Sequence, residues 1–252
     1  MLTIGYRQVF PESNPSIFRK LLLLKTGKIE VKFRRADVFL DVPISDIVEP
    51  IAYEEVELAC LHLPYIGVRS VREFQKIVRK GLDIIRELEC NVLVAHPWKG
   101  KLTAEDMLEL MKFSRELVED NAVLCWETLP DRERFLKSLD DYWMLCEESS
   151  GAYSVCLDIA HLNLDTDDVV EMIQDHVSHI KVIHMSNRTS DRALMHIPIF
   201  DPRGHFDYGV ILRGLREAHF DGIVILHYAR GFRRHYYEDL IRLEEFLLFS
   251  VI

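Results

Sequence analysis

Apolar positions along the chain follow two periods that take turns from one end to the other. Ile29 to Phe33 alternates apolar and charged residues, the pattern of a strand with one buried face. Later runs are continuously apolar: Asn91–Ala95, Ala122–Trp126, Tyr153–Leu157, Ile180–Ile183 and Ile223–Leu226. Such runs suit strands of a parallel sheet that is covered on both faces. With Leu2 to Tyr6 and Val56 to Leu61 they make eight strands.

The segments between the strands carry helical spacing. Phe74, Ile77, Val78, Gly81, Leu82, Ile84, Ile85 and Leu88 recur at intervals of three and four, which predicts an amphipathic helix. Thr103-Ala-Glu-Asp106 has the form of a capping box ahead of an apolar stripe from Met107 to Val118. Tyr142 to Cys146, Val169 to Val177 and His235 to Phe249 predict further helices. Ala36 to Glu55 shows no helical pattern, so the link between the second and third strands is expected to be irregular.

Strands that alternate with helices at this spacing mean βα units. Eight of them predict a single α/β domain over residues 1–252, a (β/α)8 TIM barrel, for which 252 residues is an ordinary length. The competing open, doubly wound sheet would carry a glycine-rich phosphate loop after its first strand, and the sequence has neither GxGxxG nor a P-loop.

Composition narrows the classes. A formal net charge of -10, with 41 acidic against 31 basic residues, counts against a nucleic-acid partner, which needs a basic face. Five cysteines without a CxxC spacing indicate neither disulfides nor a thiolate zinc site, and a reducing cytoplasm is expected. The first ten residues lack the apolar run of a signal peptide, and Leu21 to Leu24 is far too short to span a membrane. A protein without membrane attachment is expected, its oligomeric state left open.

In a parallel barrel the chemistry sits at the C-terminal ends of the strands. There the third to eighth strands end in His62, His96, Glu127, Asp158, His184 and His227, with His161 three residues after Asp158. The long loop after the seventh strand adds Asp191, His196, Asp201 and His205. One histidine at a strand end is more often structural than a ligand, but six successive strand ends of this kind converge on one mouth. Imidazole and carboxylate without thiolate suit a divalent Zn, Mn or Co ion better than Ca or Mg. Lys99, Arg188, Arg192, Arg203 and Arg230 fall in mouth loops and are candidates to hold a phosphate. Trp98 is a candidate mouth residue, whereas Trp143 and the helical histidines His176, His179, His219 and His235 read as structural or surface residues.

The segments His62-Leu-Pro-Tyr65, Val94-Ala-His96-Pro97, Trp126-Glu127-Thr-Leu-Pro130, Leu157-Asp158-Ile-Ala-His161 and Val182-Ile-His184-Met-Ser-Asn187 resemble the strand-end motifs of the xylose isomerase-like barrels. That superfamily includes sugar and sugar-phosphate isomerases and epimerases, and the endonuclease IV-type AP endonucleases. The resemblance runs from about Val56 to Tyr228, and Asp158-x-x-His161 is its most specific part. It implies one metal among Glu127, Asp158, His184 and His227. It implies a second at His62 and His96 with Glu127 bridging, as in the nuclease branch, and a third at His161 with His196 and Asp191. The eighth strand of both branches usually ends in a glutamate, and here it ends in His227.

The leading expectation is a metal-dependent sugar or sugar-phosphate isomerase or epimerase. Glu127 would be its base and ligand, His227 or His62 the partner acid or base, and a small sugar its substrate. The alternative is an endonuclease IV-like phosphodiester hydrolase holding more than one metal per chain, for which His62, His96 and His161 supply extra ligands. A non-catalytic ligand-binding barrel is the third reading. A metal site that relies on His227 is expected to lose its ion between neutral pH and about 5.5, because free histidine titrates near pH ~6.5.

Overall fold

The computed structural model describes residues 2–11, 18, 28–129 and 133–249. Leu21 to Leu24 and Pro130 lie outside them. The eight parallel strands predicted from the pattern close into one barrel: β1 (Thr3–Val9), β2 (Lys28–Lys32), β3 (Glu57–His62), β4 (Val92–Ala95), β5 (Val123–Glu127), β6 (Tyr153–Asp158), β7 (Ile180–Met185) and, after a small hairpin, β10 (Ile223–Leu226). The hairpin pairs β8 (Asn187–Arg188) with β9 (Met195–Ile197) in antiparallel fashion. Each barrel strand pairs with its sequence neighbour, and β1 closes the ring against β10. Among the described residues no helix is long and apolar enough to cross a membrane.

Eight α-helices are described: α1 (Ala36–Asp41), α2 (Ser45–Tyr53), α3 (Val71–Glu87), α4 (Ala104–Glu119), α5 (Leu139–Glu148), α6 (Thr166–His176), α7 (Tyr208–Glu217) and α8 (Tyr236–Glu244). Helix α4 begins at the capping box read from the sequence, with Thr103 and Asp106 satisfying each other's backbone N–H. The link between the second and third strands is a correction, since α1 and α2 fill it. Both are short, and Pro50 sits inside α2, so local pattern and propensity are weak there. Burial of Phe39, Ile47 and Ile51 supplies the stability that the pattern does not advertise.

Strand β2 is the second correction. Its alternation suggested one solvated face, yet Glu30 is fully buried and Lys32 nearly so. The charged face of β2 points into the barrel. Small and thiol side chains, among them Cys60, Val94, Cys125, Cys156, Val182 and Ile225, form an apolar cluster. Two residues further along each strand comes a polar side chain: His62, His96, Glu127, Asp158, His184 and His227. A strand's side chains alternate between faces, so the residues of this upper layer share the inward register of the apolar layer beneath them.

Candidate metal centre

Eight of the nine residues expected to bind metal, all but Asp191, meet at the C-terminal mouth, where three groups of possible ligand atoms each lie within 4.8 Å of one another: Glu127, Asp158, His184 and His227; His62, His96 and Glu127; and Asp158, His161 and His196. Glu127 and Asp158 each belong to two groups. The turn after β6 explains the Asp158-x-x-His161 spacing. Asp158 Oδ1 accepts from the Ala160 N–H, and the single 3-10 turn that follows brings His161 back to 3.7 Å from Asp158.

His62 Nδ1–H donates to the Leu63 carbonyl at 3.0 Å, which leaves the Nε2 lone pair 2.6 Å from Glu127 Oε2. His96 Nε2 stands 2.6 Å from the same oxygen, while its Nδ1 is buried without a hydrogen-bond partner. Burial, aided by Lys32, lowers His62 to about 4 and holds His96 well below its ordinary value, so both rings are neutral at pH 7. Two ring nitrogens converge on one carboxylate oxygen, with the Lys32 ammonium 3.3 Å from His96 Nε2, and the cluster is one that a cation can bridge. Nitrogen and oxygen donors in this number fit a divalent transition ion. In the third group His161 Nδ1–H donates to the Thr128 carbonyl at 3.1 Å, leaving Nε2 with the lone pair. His196, within β9, is held by Ser186 at 2.9 Å and has a left-handed backbone, φ 55°.

The first group carries a feature that the sequence reading missed. Arg7 on β1 and Glu30 on β2 form a buried ion pair directly beside it. Arg7 Nη1 is 2.5 Å from His227 Nε2, and Nη2 is 2.9 Å from His184 Nδ1. His184 Nε2–H in turn donates to Glu30 at 2.7 Å, and His227 Nδ1–H donates to Asp158 at 3.0 Å. Burial opposes the charged form of Glu30, but Arg7 and His184 overcome it and hold the carboxyl well below its ordinary value. The missed signal was one of strand length. β1 runs to Val9, not Tyr6, and the strand-end rule applied to the first two strands would have found Arg7, Glu30 and Lys32.

Above these groups opens a cavity of about 450 Å³, lined on one side by His96, Glu127, His161, His196 and His227. Arg34, Arg134, Arg230 and Arg233 line it too, with Arg7 and Lys32 deeper. Of the five candidate phosphate cations only Arg230 faces it. Lys99 pairs with Glu133 and Arg203 with Asp201, while Arg188 and Arg192 donate to the Leu162 carbonyl. In the loop after β7, only His196 reaches the centre. Asp191 accepts from Thr189 and Ala193 within its own turn, and His205 pairs with Asp165. Trp98 is also a correction, since it packs on Phe74, Trp126 and Phe135 in the core.

Residues 29–244 match the sequence model of the xylose isomerase-like TIM barrel. The chain belongs to that family. Several solved members share the fold. The apo 3-keto-D-glucoside 4-epimerase from E. coli superposes with a TM-score of 0.68 at 14% identity, over 97% of this chain and 99% of that one. A D-tagatose 3-epimerase-like protein gives 0.71 at 18%, over 97% of each. An AP endonuclease of family 2 from Brucella melitensis gives 0.68 at 15%, over 92% of this chain and 95% of that one. No match is found among curated proteins. Within the xylose isomerase-like family, identities this low speak for the fold alone.

Proposed function

We propose that the protein is an enzyme, a metal-dependent phosphoester hydrolase that works in the mouth cavity. The observation that carries this reading is the pair of separate histidine groups, His62 with His96 around Glu127 and His161 with His196 around Asp158. A single-metal isomerase has no use for either pair. Bound there, divalent ions would lower the pKa of a water and neutralise charge on phosphoryl oxygens.

The chain's own residues fit that task. The carbonyls of Leu63 and Thr128 fix the tautomers of His62 and His161, and the free nitrogen of His62 faces Glu127. Arg34, Arg134, Arg230 and Arg233 place guanidinium groups on the cavity wall, where planar forks recognise phosphate. Burial pushes the Glu127 carboxyl up, but His96, Lys32 and the other histidines overcome it and hold it well below its ordinary value. Such a carboxylate is a good ligand and a poor base for a carbon-bound proton.

The sugar or sugar-phosphate isomerase or epimerase expected from sequence remains the second reading. The four donors around the first group favour it, since that group alone suffices for a single metal. Its difficulty is that no second carboxylate faces Glu127 from the end of β10. Manganese- or zinc-loaded protein should hydrolyse a phosphodiester such as bis-p-nitrophenyl phosphate or an abasic-site oligonucleotide, and Glu127→Gln should abolish this. Activity that persists in Glu127→Gln belongs to a contaminant. Deuterium appearing on a ketohexose or sugar-phosphate carbon in heavy water, without phosphoester cleavage, would establish the isomerase reading instead.

A further inference from the structure

The geometry points to Arg7 as a resident cation of the first group. We infer that the protein takes up two metal ions, at His62/His96/Glu127 and Asp158/His161/His196, and none at His227. The inference rests on the reading above that the histidine groups hold metal.

A guanidinium has five N–H donors, no acceptor, and stays protonated in proteins. The nitrogen of His227 that faces Arg7 Nη1 at 2.5 Å must therefore be the acceptor. The other nitrogen then carries the hydrogen and donates to Asp158 Oδ2 at 3.0 Å. A neutral imidazole has one lone pair, and Arg7 uses it, so His227 keeps none for a metal.

His184 is restricted as well. Its Nε2–H is given to Glu30, and Arg7 Nη2 lies against the ring, 2.9 Å and 3.1 Å from its two nitrogens. The same guanidinium stands 4.0 Å from Glu127 Oε1, where it already supplies positive charge to the carboxylate that a first ion would share. Arg7 cannot swing away without leaving the buried Glu30 carboxylate with only the His184 hydrogen bond in place of its ion pair.

The other two groups escape this. None of the contacts of Arg7 is to His62, His96, His161 or His196. Lys32 touches the second group at His96, 3.3 Å away, and its charge also bears on His62 and Glu127, but it sits on a flexible stem that lines the cavity. Glu127 Oε2 faces His62 and His96, while its Oε1 faces His184 and Arg7. One carboxylate thus serves a metal on one side and a guanidinium on the other.

Metal content decides the matter. Protein equilibrated with manganese, freed of excess ion and analysed by plasma mass spectrometry should hold two equivalents per chain. His227→Ala should still hold two, and His62→Ala one. The paired change Arg7→Met/Glu30→Gln removes both charges together and should raise uptake to three. Three equivalents in the unaltered protein, or an ion lost in His227→Ala, overturns the inference while the metal reading stands. So does a folded double variant that stays at two. Should that variant not fold, the His227→Ala count alone decides. No metal in the unaltered protein sinks both the inference and the hydrolase reading, whereas two ions without phosphoester cleavage sinks only the latter.

Discussion

Glu30→Gln isolates the energetics of the buried pair. The substitution keeps the side chain's volume but removes its charge, leaving the Arg7 guanidinium, only 3% exposed, without its closest counter-ion. Breaking one half of a buried pair costs about 3–5 kcal/mol. Here Glu127 remains 4.0 Å from Arg7, and at an effective dielectric of about 20 a charge at that distance still attracts by about 4 kcal/mol. The loss should therefore sit at the low end, about 3 kcal/mol. For a chain of this size that is a fall in melting temperature of roughly 6–12 °C. Arg7→Met/Glu30→Gln should recover part of it, because neither member of the pair is then buried without the other, although Glu127 loses the guanidinium at 4.0 Å. The measurement is urea and thermal unfolding of all three proteins in chelator, so that bound metal does not mask the difference. A Glu30→Gln protein within about 0.5 kcal/mol of the parent, or a double variant that simply adds a second loss, would refute the buried pair.

In chelator the protein should also lose stability on acidification. His62 and His196 are pushed down to about 4, chiefly by burial, and His96 and His227 are lowered too, so as pH falls from ~6.5 toward ~4 the unfolded chain binds protons that the folded one refuses. His184, which Glu30 raises against its burial, acts the other way, contributing stability that is lost as pH rises, but it is one against four. A urea midpoint that holds flat or rises over this window would contradict the assignment. The same burial keeps His62 and His196 unprotonated at pH 5.5, so metal retention measured by equilibrium dialysis should persist below the value expected from free histidine. Gly5→Ala should cost about 3 kcal/mol or more, or yield insoluble protein, because its Cβ would lie 2.3 Å from the Lys28 carbonyl oxygen on β2, and backbone cannot yield. A melting temperature close to the parent's would mean that β1 and β2 are not so closely apposed.

The sequence disclosed the strands because apolar runs buried on both faces leave few other readings. It disclosed the candidate ligands at the ends of β3 to β7 and β10 because each of these strands' inward register leads to a titratable side chain. It concealed what lay on the first two strands. In β2, alternation of Ile29 and Val31 with Glu30 and Lys32 describes a solvated strand as well as one that turns its charges inward. Periodicity records which residues share a face, not what that face meets. The pairing of Arg7 with His227, 220 residues apart, has no local signature either. Helices α1 and α2 were hidden for a related reason, since Phe39, Ile47 and Ile51 gain their partners only in the folded molecule.

Strand β1 pairs with β2 on one side and β10 on the other, so it is the seam at which the two ends of the chain meet. Arg7 lies 220 residues ahead of the histidine that accepts its hydrogen bond, so during synthesis it emerges well before β10. Until then one edge of β1 lies open and the guanidinium has no roof. The arrival of β10 covers the edge and engages Arg7 in the same event. A ring joined at the wrong register by even one residue would turn His227 outward and deprive Arg7 of one of its hydrogen bonds. The contact between Arg7 and His227 thus ties the register of β10 to that of β1.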